Sequence, residues 1–430
     1  MIQELSMDNF KGFSSPMLIR RGGGGGRIRF GRLSLIIGTN ASGKSNIRDG
    51  LRFIHGVSRG YNLAEIIGEK YGEGGEPQWK GIRGGVRETV TRDGNPVAKA
   101  FTFAVKTKLT AEDASGTARY SITVDIGDKT KPPTIVDESL RISTEEADSF
   151  RTKEQAGPGQ VAVYIRRPTA KKTLGPALTL RSDQPALTQL PHDERCFDAV
   201  RDQCKAFLRT IASMRFLDLD PNSLRRPSIP GQTVLGDKGE NLSSVLQAIC
   251  RVAASKEALI EWTRELTPLD VVDLKFPEVS LEGKIQLQLV EKGGREISAE
   301  SASDGTLRFL AFAAAVLGTE PARFYFFEEI ENGIHPNRAH LLISLLRAAT
   351  RDGTIQVVGT THSPALLSFL DKEALRDASL VYRAGSVSKI RSFADIPALW
   401  ELPPRTRSGE LHGSGWFENV AAFLESEGAE

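Results

Sequence analysis

The chain has 430 residues, enough for one large domain or two ordinary ones with a substantial core. Hydrophobic residues make up 40% and charged residues 26%, and the formal net charge of +2 excludes a strongly basic overall field, though not a local basic face. The three cysteines, Cys196, Cys204 and Cys250, are too few and too irregularly spaced for a disulfide framework or a zinc site.

We expect a cytoplasmic protein. No apolar run approaches the roughly 20 residues that a membrane-spanning helix needs, so no membrane partner is expected. The N-terminal segment MIQELSMDNFKGF lacks the basic-then-apolar order of a secretory signal. The cysteines are accordingly expected to be reduced thiols.

The beginning of the chain predicts short strands and one helix. Apolar, β-branched segments at 28–30 and 33–37 predict strands. The glycine run Gly22–Gly26 predicts a flexible hairpin tip, because glycine packs nothing in a strand interior and no Lys-Ser pair follows to make a phosphate loop. A helix is predicted over 46–56, and glycine-rich loops follow it.

The next part of the chain predicts antiparallel strands. Alternating apolar and polar residues at 99–109 and 118–126 predict a β-hairpin, and 134–143 predicts another strand. The polar, proline-rich stretch 145–190 is expected to form loops around a single strand at 161–166.

Two helical stretches precede a strand–helix alternation. Apolar residues recur with a period near 3.6 in 194–214, and 241–266 is similar, so both are expected in one inserted helical subdomain. No sustained heptads occur, which argues against long coiled-coil arms. A strand pair, an apolar helix and three short apolar strands then predict a mostly parallel α/β sheet. These lie at 271–276, 284–290, 306–317, 324–327, 355–359 and 379–383.

The segment Gly38–Ser45 fits the pattern of a phosphate-binding loop between an apolar strand and a helix. Its glycines let backbone amides surround phosphate oxygens. Lys44 is expected to reach the β- and γ-phosphates of ATP, and the Ser45 hydroxyl is expected to hold Mg²⁺. The predicted nucleotide-binding residues in and after the loop are Gly38, Asn40, Ala41, Ser42, Gly43, Lys44, Ser45 and Asn46.

Two carboxylates, Glu328 and Glu329, follow the apolar strand 324–327. They are expected at the carboxyl edge of the sheet, where ligands bind in open α/β folds. Glu328 is predicted to hold the metal through its shell, and Glu329 to act as general base on the attacking water. Phosphate-loop enzymes usually carry Asp at the first position, and the longer Glu328 makes direct metal contact less certain. The alternative is a solvated charge pair at a strand end.

Two further elements carry polar groups to an expected ligand. Ser303 and Gly305 stand at the start of the helix 306–317, where they form either an ordinary N-cap or an anion site offered to a second copy of the chain. His362 follows the strand 355–359 and is predicted to donate a hydrogen bond to the γ-phosphate, although a lone histidine is more often structural. His335 is expected to shape the loop after the acidic pair, or the dimer seam.

The motifs GTNASGKSN, SDGTLRFL, FYFFEEIENGIHP and GTTHSP, in this order, resemble those of ABC-type ATPase heads. In detail they resemble the predicted AAA-family (AAA_21-like) ATPases related to RecF, the structural-maintenance-of-chromosomes (SMC) proteins and the OLD family. The resemblance extends over nearly the whole chain. Its smaller agreements lie at 9–13, 216–221, 239–242, 408–411 and 413–416.

The resemblance implies an α/β head, a P-loop NTPase fold with a mixed or parallel central sheet, an antiparallel β subdomain, an inserted helical subdomain and no long coiled coil. The expected divisions are an N-terminal ATPase lobe over 1–190, the helical subdomain over 191–270, a C-terminal ATPase lobe over 271–390 and a tail over 391–430. The resemblance also implies a head-to-head dimer with two nucleotides bound between the heads. Each site then takes Lys44, Ser45, Glu328, Glu329 and His362 from one chain and Ser303 and Gly305 from the other.

Two features depart from the pattern of better-known heads. Asp304 stands where transporter heads carry glycine, and it adds negative charge beside the expected phosphate. No convincing Q-loop glutamine is found, and Gln78 and Gln160 are the only candidates.

An ATP-gated dimeric switch is the predicted function. The leading hypothesis is the ATPase subunit of a prokaryotic anti-phage defence system that controls a nuclease or toxin effector. The rival is a DNA-repair or chromosome-maintenance ATPase that clamps DNA; a transporter head is less favoured. The segment after 379–383 is expected to be too short for a nuclease domain. Basic pairs at 166–167, 171–172 and 225–226 either touch DNA or are solvated surface charges.

Overall fold

The structure is a computed structural model that describes residues 1–14, 26–92, 98–109, 116–143, 147–167, 174–267 and 270–396. The strands of its first half are β1 (Ile2–Asp8), β2 (Gly26–Arg29), β3 (Leu33–Ile37), β4 (Lys70–Tyr71), β5 (Pro77–Trp79), β6 (Ala100–Leu109), β7 (Gly116–Asp125), β8 (Thr134–Ile142), β9 (Phe150–Gly157), β10 (Gln160–Arg166) and β11 (Leu174–Arg181). The later strands are β12 (Met214–Leu217), β13 (Val271–Lys275), β14 (Gln288–Glu291), β15 (Glu296–Ser298), β16 (Phe324–Phe327), β17 (Gln356–Thr361), β18 (Ser379–Ala384) and β19 (Val387–Ser392).

The α-helices alternate with these strands. They are α1 (Lys44–Ser58), α2 (Leu63–Ile67), α3 (Ala186–Gln189), α4 (Asp198–Ala212), α5 (Pro221–Leu224), α6 (Leu242–Cys250), α7 (Ala253–Leu266), α8 (Asp304–Leu317), α9 (Ala339–Thr350) and α10 (Lys372–Arg376). None of the described helices is long and apolar enough to cross a bilayer. The longest of them, α1 and α4, have 15 residues, so the described part of the chain contains no long coiled-coil arm.

The larger sheet is antiparallel, with the strand order β11-β10-β9-β8-β7-β6-β1-β2. β6 pairs with β7 from Ala100↔Asp125 to Leu109↔Gly116, which confirms the hairpin predicted from the alternating residues. Alternate side chains of β6 are buried, because successive residues of a strand point to opposite faces. One face of this sheet therefore packs against a hydrophobic core.

The expectation of loops over 145–190 around one strand is wrong. This stretch contains β9, β10 and β11, which extend the antiparallel sheet to its edge. In β9 only Phe150 and Thr152 are buried. A segment with so short a buried face contains too few apolar residues to show the alternation from which strands are predicted.

The second sheet has the order β12-β16-β17-β3-β18-β19, and its neighbouring strands are parallel except for β18 and β19. Every residue of β3, β16 and β17 is buried, which accounts for the nearly continuous apolar sequences of β3 and β16; β17 also buries the polar residues Gln356, Thr360 and Thr361. The strands predicted at 324–327, 355–359 and 379–383 are confirmed. Because parallel strands end at the same edge, β3, β16 and β17 deliver their following loops side by side.

Two hydrophobic cores hold these sheets. The first lies under the antiparallel sheet and includes α1 and α4, while the second packs α6, α7, α8 and α9 with the parallel sheet. The segment 191–270 therefore does not pack as the single helical subdomain that was expected. Its α4 belongs to the first core, its β12 is a strand of the parallel sheet, and α5, α6 and α7 pack on α8.

Some sequence features lie outside the described residues. These are Gly22–Gly25, the basic pair at 171–172, and the chain after residue 396, which includes the segments 408–411 and 413–416. Gly26, the last residue of the glycine run, begins β2.

Candidate functional site

The phosphate loop connects β3 to α1, and its backbone is shaped by two glycines. Gly43 has a left-handed φ of 115°, and a Cβ at this position would lie 2.6 Å from Ser388 Oγ. A Cβ on Gly38 would lie 2.2 Å from the carbonyl oxygen of Val381. Only glycine fits at these places without movement of the neighbouring strands β18 and β19. The predicted pattern is thus a steric requirement of the loop.

Lys44 and Ser42 supply polar groups in this loop. Lys44 Nζ donates to the carbonyl oxygens of Gly38 at 2.6 Å and Thr39 at 2.8 Å. Burial lowers the pKa of Lys44, and the nearby carboxylates of Glu329 and Glu331 oppose that shift. Ser42 Oγ is buried without a hydrogen-bond partner among the described residues. A cation, a free buried hydroxyl and the amino end of α1 together suit a phosphate group.

The other predicted loop residues surround these groups. Asn40 and Ala41 are exposed, and Ala41 has a positive φ of 60°. Ser45 and Asn46 lie in the first turn of α1, and the Asn46 amide donates to the Gly43 carbonyl at 3.0 Å. ATP and Mg²⁺ therefore fit this end of the helix: the loop offers the phosphates its amides and Lys44, and Ser45 offers the metal a hydroxyl.

Glu328 lies at the end of β16 and is paired with a cation. Arg48 Nε, from α1, is 3.1 Å from Glu328 Oε1, and the two side chains are 15% and 21% exposed. Burial raises the pKa of Glu328, while Arg48 and Arg83 lower it. Arg48 therefore places a positive charge beside Glu328, the side chain predicted to hold the metal through its shell.

Glu329 is held in an uncommon backbone conformation. Its φ is 45°, in the left-handed region that few residues other than glycine adopt. Its amide donates to Thr360 Oγ1 at 2.9 Å, and its Oε2 accepts a hydrogen bond from Asn332. These contacts tie the end of β16 to β17 and leave the Glu329 carboxylate exposed to solvent.

The end of β17 lies against the phosphate loop and carries His362. The Gly38 amide donates to the Thr361 carbonyl at 3.3 Å. The amide of His362 donates to Glu331 Oε1 at 2.8 Å, and His362 Nδ1 lies 3.2 Å from the same oxygen. The structure thus brings together the phosphate loop, the acidic pair and His362 at one edge of the parallel sheet.

Ser303 and Gly305, the signature residues of the motif SDGTLRFL, lie at the start of α8 and away from the phosphate loop of their own chain. Ser303 caps α8, with its Oγ accepting from the Thr306 amide at 3.1 Å. A Cβ on Gly305 would lie 2.2 Å from the Gly333 carbonyl, so α8 starts tightly against the loop that follows the acidic pair. In the part of the chain that is described, no hydrogen bond or ion pair joins Ser303 or Gly305 to the phosphate loop.

A surface cleft of about 880 Å³ opens beside the signature residues. It is lined by Ser303 and Gly305 from the start of α8, by His335 from the loop after the acidic pair, and by Glu265 from the end of α7. His335 thus lies beside the start of α8, and its Nδ1 accepts from the Asn337 amide at 3.3 Å; its role in shaping the loop or the dimer seam stays a prediction. The cleft makes the signature residues accessible from outside the chain.

The negative charge of Asp304 is balanced by a neighbouring arginine. Arg225 Nη2 lies 2.6 Å from Asp304 Oδ1 and also donates to the Ala302 carbonyl at 3.0 Å. Arg225, at the carboxyl end of α5, therefore offsets the negative charge that Asp304 adds beside Ser303 and Gly305. Arg225 is 20% exposed at its side chain and Asp304 57%.

Sequence reasoning missed several charged residues around the phosphate loop. Asp49 is buried and accepts hydrogen bonds from Lys11 and from Arg83, whose Nη2 also donates to the Ser45 carbonyl at 2.6 Å. Arg48 could have been predicted from the sequence, because it lies three residues after Ser45 and therefore on the same face of the helix. Arg83, Lys11 and Glu331 carry no such local signal, because turns and sheet order bring them to the site.

The candidate Q-loop glutamines do not approach these residues. Gln78 lies exposed on β5 and Gln160 lies exposed on β10. Neither makes a hydrogen bond to the phosphate loop or to the acidic pair within the described residues. Likewise, no cluster of three or more His, Cys, Asp or Glu side chains suited to a metal occurs among the described residues.

Comparisons with known proteins show the family of the chain. A sequence profile of the AAA_21 family, described as "AAA domain, putative AbiEii toxin, Type IV TA system", matches residues 110–368, which include the signature, the acidic pair and His362. An ATP/GTP phosphatase of Helicobacter pylori (strain ATCC 700392 / 26695) is 24% identical over 164 residues. That match spans 37% of this chain and 43% of the relative.

Solved structures of SMC heads are also similar. An SmcHead bound to the C-winged helix domain of ScpA has a TM-score of 0.50 at 15% identity, with 91% of this chain and 97% of that chain covered. The SMC head domain from Thermotoga maritima has a TM-score of 0.44 at 15% identity, with 91% and 98% covered. At this identity the first likeness shows a shared fold alone.

Proposed function

This chain belongs to the AAA_21 family of AAA-type ATPases, and on that premise we propose that it is an ATP-gated switch that works as a dimer. The proposal rests on one observation: three neighbouring strands end side by side at one edge of the parallel sheet. β3, β16 and β17 are neighbours there, and they deliver the phosphate loop, Glu329 and His362. Each of these groups matches one requirement of phosphoryl transfer.

The residues at this edge take distinct parts in ATP hydrolysis. Lys44 and the loop amides bind the β- and γ-phosphates, and Ser45 would hold Mg²⁺ through its hydroxyl, with Glu328 acting through the shell of the metal. Bound Mg²⁺ offsets the negative charge of the phosphate oxygens. Glu329 accepts a proton from the attacking water, and its amide contact with Thr360 orients it for this. His362, held by Glu331, donates to the γ-phosphate.

A second copy of the chain completes the site. Ser303 and Gly305 offer a hydroxyl and the amino end of α8, which is a 14-residue helix with the positive end of its dipole beside them. Within one chain these groups adjoin the loop at Gly333 and an open cleft, so they are available to the nucleotide of a partner. ATP binding then adds contacts across the dimer seam, and hydrolysis removes them.

The switch acts in anti-phage defence as the ATPase subunit that controls a toxic effector protein. The family description, which names a toxin and a toxin–antitoxin system, supports this role over a DNA clamp. In two basic pairs predicted as possible DNA contacts, one arginine is held within the fold, while the other, Arg167 or Arg226, is exposed. Arg166 is buried, and Arg225 is engaged by Asp304.

Purified protein tests the proposal directly. Turnover of ATP that requires Mg²⁺, together with association into dimers only when ATP is present, is the expected result in a phosphate-release assay and in light scattering. Absence of both would contradict the switch. For the cellular role, a host carrying the native operon should lose phage resistance on Lys44→Ala; unchanged resistance would contradict the defence assignment. Binding to duplex DNA that weakens steeply with salt would favour the clamp instead.

A further inference from the structure

Arg48 occupies a position that the hydrolysis scheme leaves unexplained. It lies three residues after Ser45 in α1, and residues three apart are neighbours on one helix face. From that face it approaches Glu328, with 3.1 Å between Arg48 Nε and Glu328 Oε1. The guanidinium thus lies beside Glu328 and on the helix face that begins at Ser45, the two residues assigned to the metal.

The contact between Arg48 and Glu328 is held by charge and not by an aligned hydrogen bond. Glu328 Oε1 is buried and has no hydrogen-bond partner among the described residues, although the Arg48 Nε is within ion-pair distance. Both side chains are largely removed from solvent, so water screens their attraction weakly. A buried carboxylate with a neighbouring cation has less attraction left for a second cation.

We propose that Arg48 is a positioning residue that keeps Glu328 out of the direct ligand shell of the divalent metal and lowers the affinity of the nucleotide site for that metal. This inference rests on the proposed ATP site. Glu328 is one carbon longer than the usual Asp, so its carboxylate has more freedom of position, and Arg48 restrains it. The metal then depends on the phosphates and Ser45 for direct ligands, and its binding is tied to that of ATP.

Mn²⁺ is a suitable probe, because its free concentration can be followed by electron paramagnetic resonance. The full-length protein is saturated with a non-hydrolysable ATP analogue and titrated with Mn²⁺. Arg48→Met keeps the apolar stem and removes the charge, while Arg48→Lys keeps a charge. Arg59→Met is the matched control, because Arg59 ends the same helix and contacts His55 instead of Glu328.

We expect Arg48→Met to bind Mn²⁺ about three- to tenfold more tightly than the wild type, because a repelling charge near the metal is gone. Arg48→Lys and Arg59→Met should stay within about twofold of the wild type. Unchanged or weaker Mn²⁺ binding by Arg48→Met overturns the inference, and so does an equal gain in Arg59→Met. A wild-type protein that fails to bind the analogue overturns the proposed ATP site as well, which separates the two failures.

Discussion

The carboxylate of Glu331 holds His362 at two points: it accepts a hydrogen bond from the His362 amide at 2.8 Å, and the same oxygen lies 3.2 Å from Nδ1 of the ring. Glu331 is 13% exposed at its side chain and His362 44%. A partly buried carboxylate therefore orients an exposed ring whose Nε2 makes no hydrogen bond to any described residue. A carboxylate hydrogen-bonded to one ring nitrogen fixes both the position and the tautomer of a histidine.

Replacing Glu331 should slow hydrolysis without abolishing ATP binding. Glu331→Ala removes a hydrogen bond to a charged group, whose net value of about 1.5–3 kcal/mol corresponds to a tenfold or larger fall in kcat. The measurement is steady-state kcat and KM, with His362→Ala as the comparison. The double variant should be no slower than His362→Ala alone, since both changes act on one element. Fully additive losses would show that Glu331 acts independently of His362.

Glu329→Gln should keep ATP and trap the dimer. The amide retains the shape and the Asn332 contact but cannot take a proton from water, so turnover falls about a hundredfold or more. Light scattering with ATP should show a persistent dimer, whereas Lys44→Ala, which loses the phosphate contacts, should remain monomeric. A Glu329→Gln protein that hydrolyses ATP near the wild-type rate would remove Glu329 from the role of general base.

Two inactive variants should restore one another if the site is shared between chains. Ser303→Arg alone should bind ATP normally and hydrolyse it poorly, and Lys44→Ala alone should not bind it. A mixed dimer contains one site with both residues intact, so mixing the two proteins should recover a measurable fraction of turnover. The assay is ATP hydrolysis at a fixed total protein concentration with a varied ratio. If the mixture is no more active than its components, or Ser303→Arg turns over ATP at the wild-type rate, the composite site is wrong.

The pair of Arg225 and Asp304 should matter to turnover more than to stability. Arg225→Met leaves the Asp304 carboxylate uncompensated at the start of α8, which weakens the anion site and should lower turnover about three- to tenfold. The free energy of unfolding should change by less than about 1 kcal/mol, because Asp304 is exposed. Adding Asp304→Asn to Arg225→Met should restore turnover, since the negative charge is then absent. Failure of that rescue would mean that Arg225 acts through its contact with the Ala302 carbonyl instead.

Glu138, in the core beneath the antiparallel sheet, should make stability depend on pH. Burial raises its pKa from 4.5 to about 7, against the opposing hydrogen bonds from the amides of Leu187 and Ala186 and the hydroxyl of Tyr120. A carboxyl whose pKa is raised by folding favours the native state while it is protonated. This contribution is complete below pH 4.5 and is lost as the pH rises to about 7.

Urea unfolding of the wild type and of Glu138→Gln at several pH values tests this. The difference in unfolding free energy between the two proteins should shift against the wild type by up to about 3 kcal/mol between pH 4.5 and pH 7. Glu138→Gln removes the titrating group and keeps one acceptor oxygen, which can replace the acceptor of either the Ala186 or the Leu187 amide but not both. A constant difference across that range would mean that Glu138 titrates normally in the fold.

Sequence reasoning succeeded where a motif is confined to a few consecutive residues. Gly38 and Gly43 were recognisable because the loop needs them at fixed positions, where a Cβ would meet Val381 and Ser388. The strand 324–327 was recognisable because all four of its residues are buried and apolar. Edge strands such as β9 were missed, because only one short face of them is buried.

Local periodicity also grouped α4 with α6 and α7 wrongly. Helical spacing shows that a face of α4 is buried, through Val200, Cys204 and Phe207, but it does not show what that face packs against. The structure places it in the core of the antiparallel sheet, while α6 and α7 share a different core with α8.

The sequence alone therefore determined features that lie within one loop or at one strand or helix end. These are the phosphate loop, the acidic pair and the capped start of α8. Tertiary structure alone decided which of these groups meet. Glu331 and His362 are 31 residues apart and Arg225 and Asp304 are 79 apart, so no helical or strand period relates them. Their contacts depend on the order in which strands join the sheet and on how helices pack over it. These are set by the burial of apolar surface from the whole chain, which no short window of sequence records.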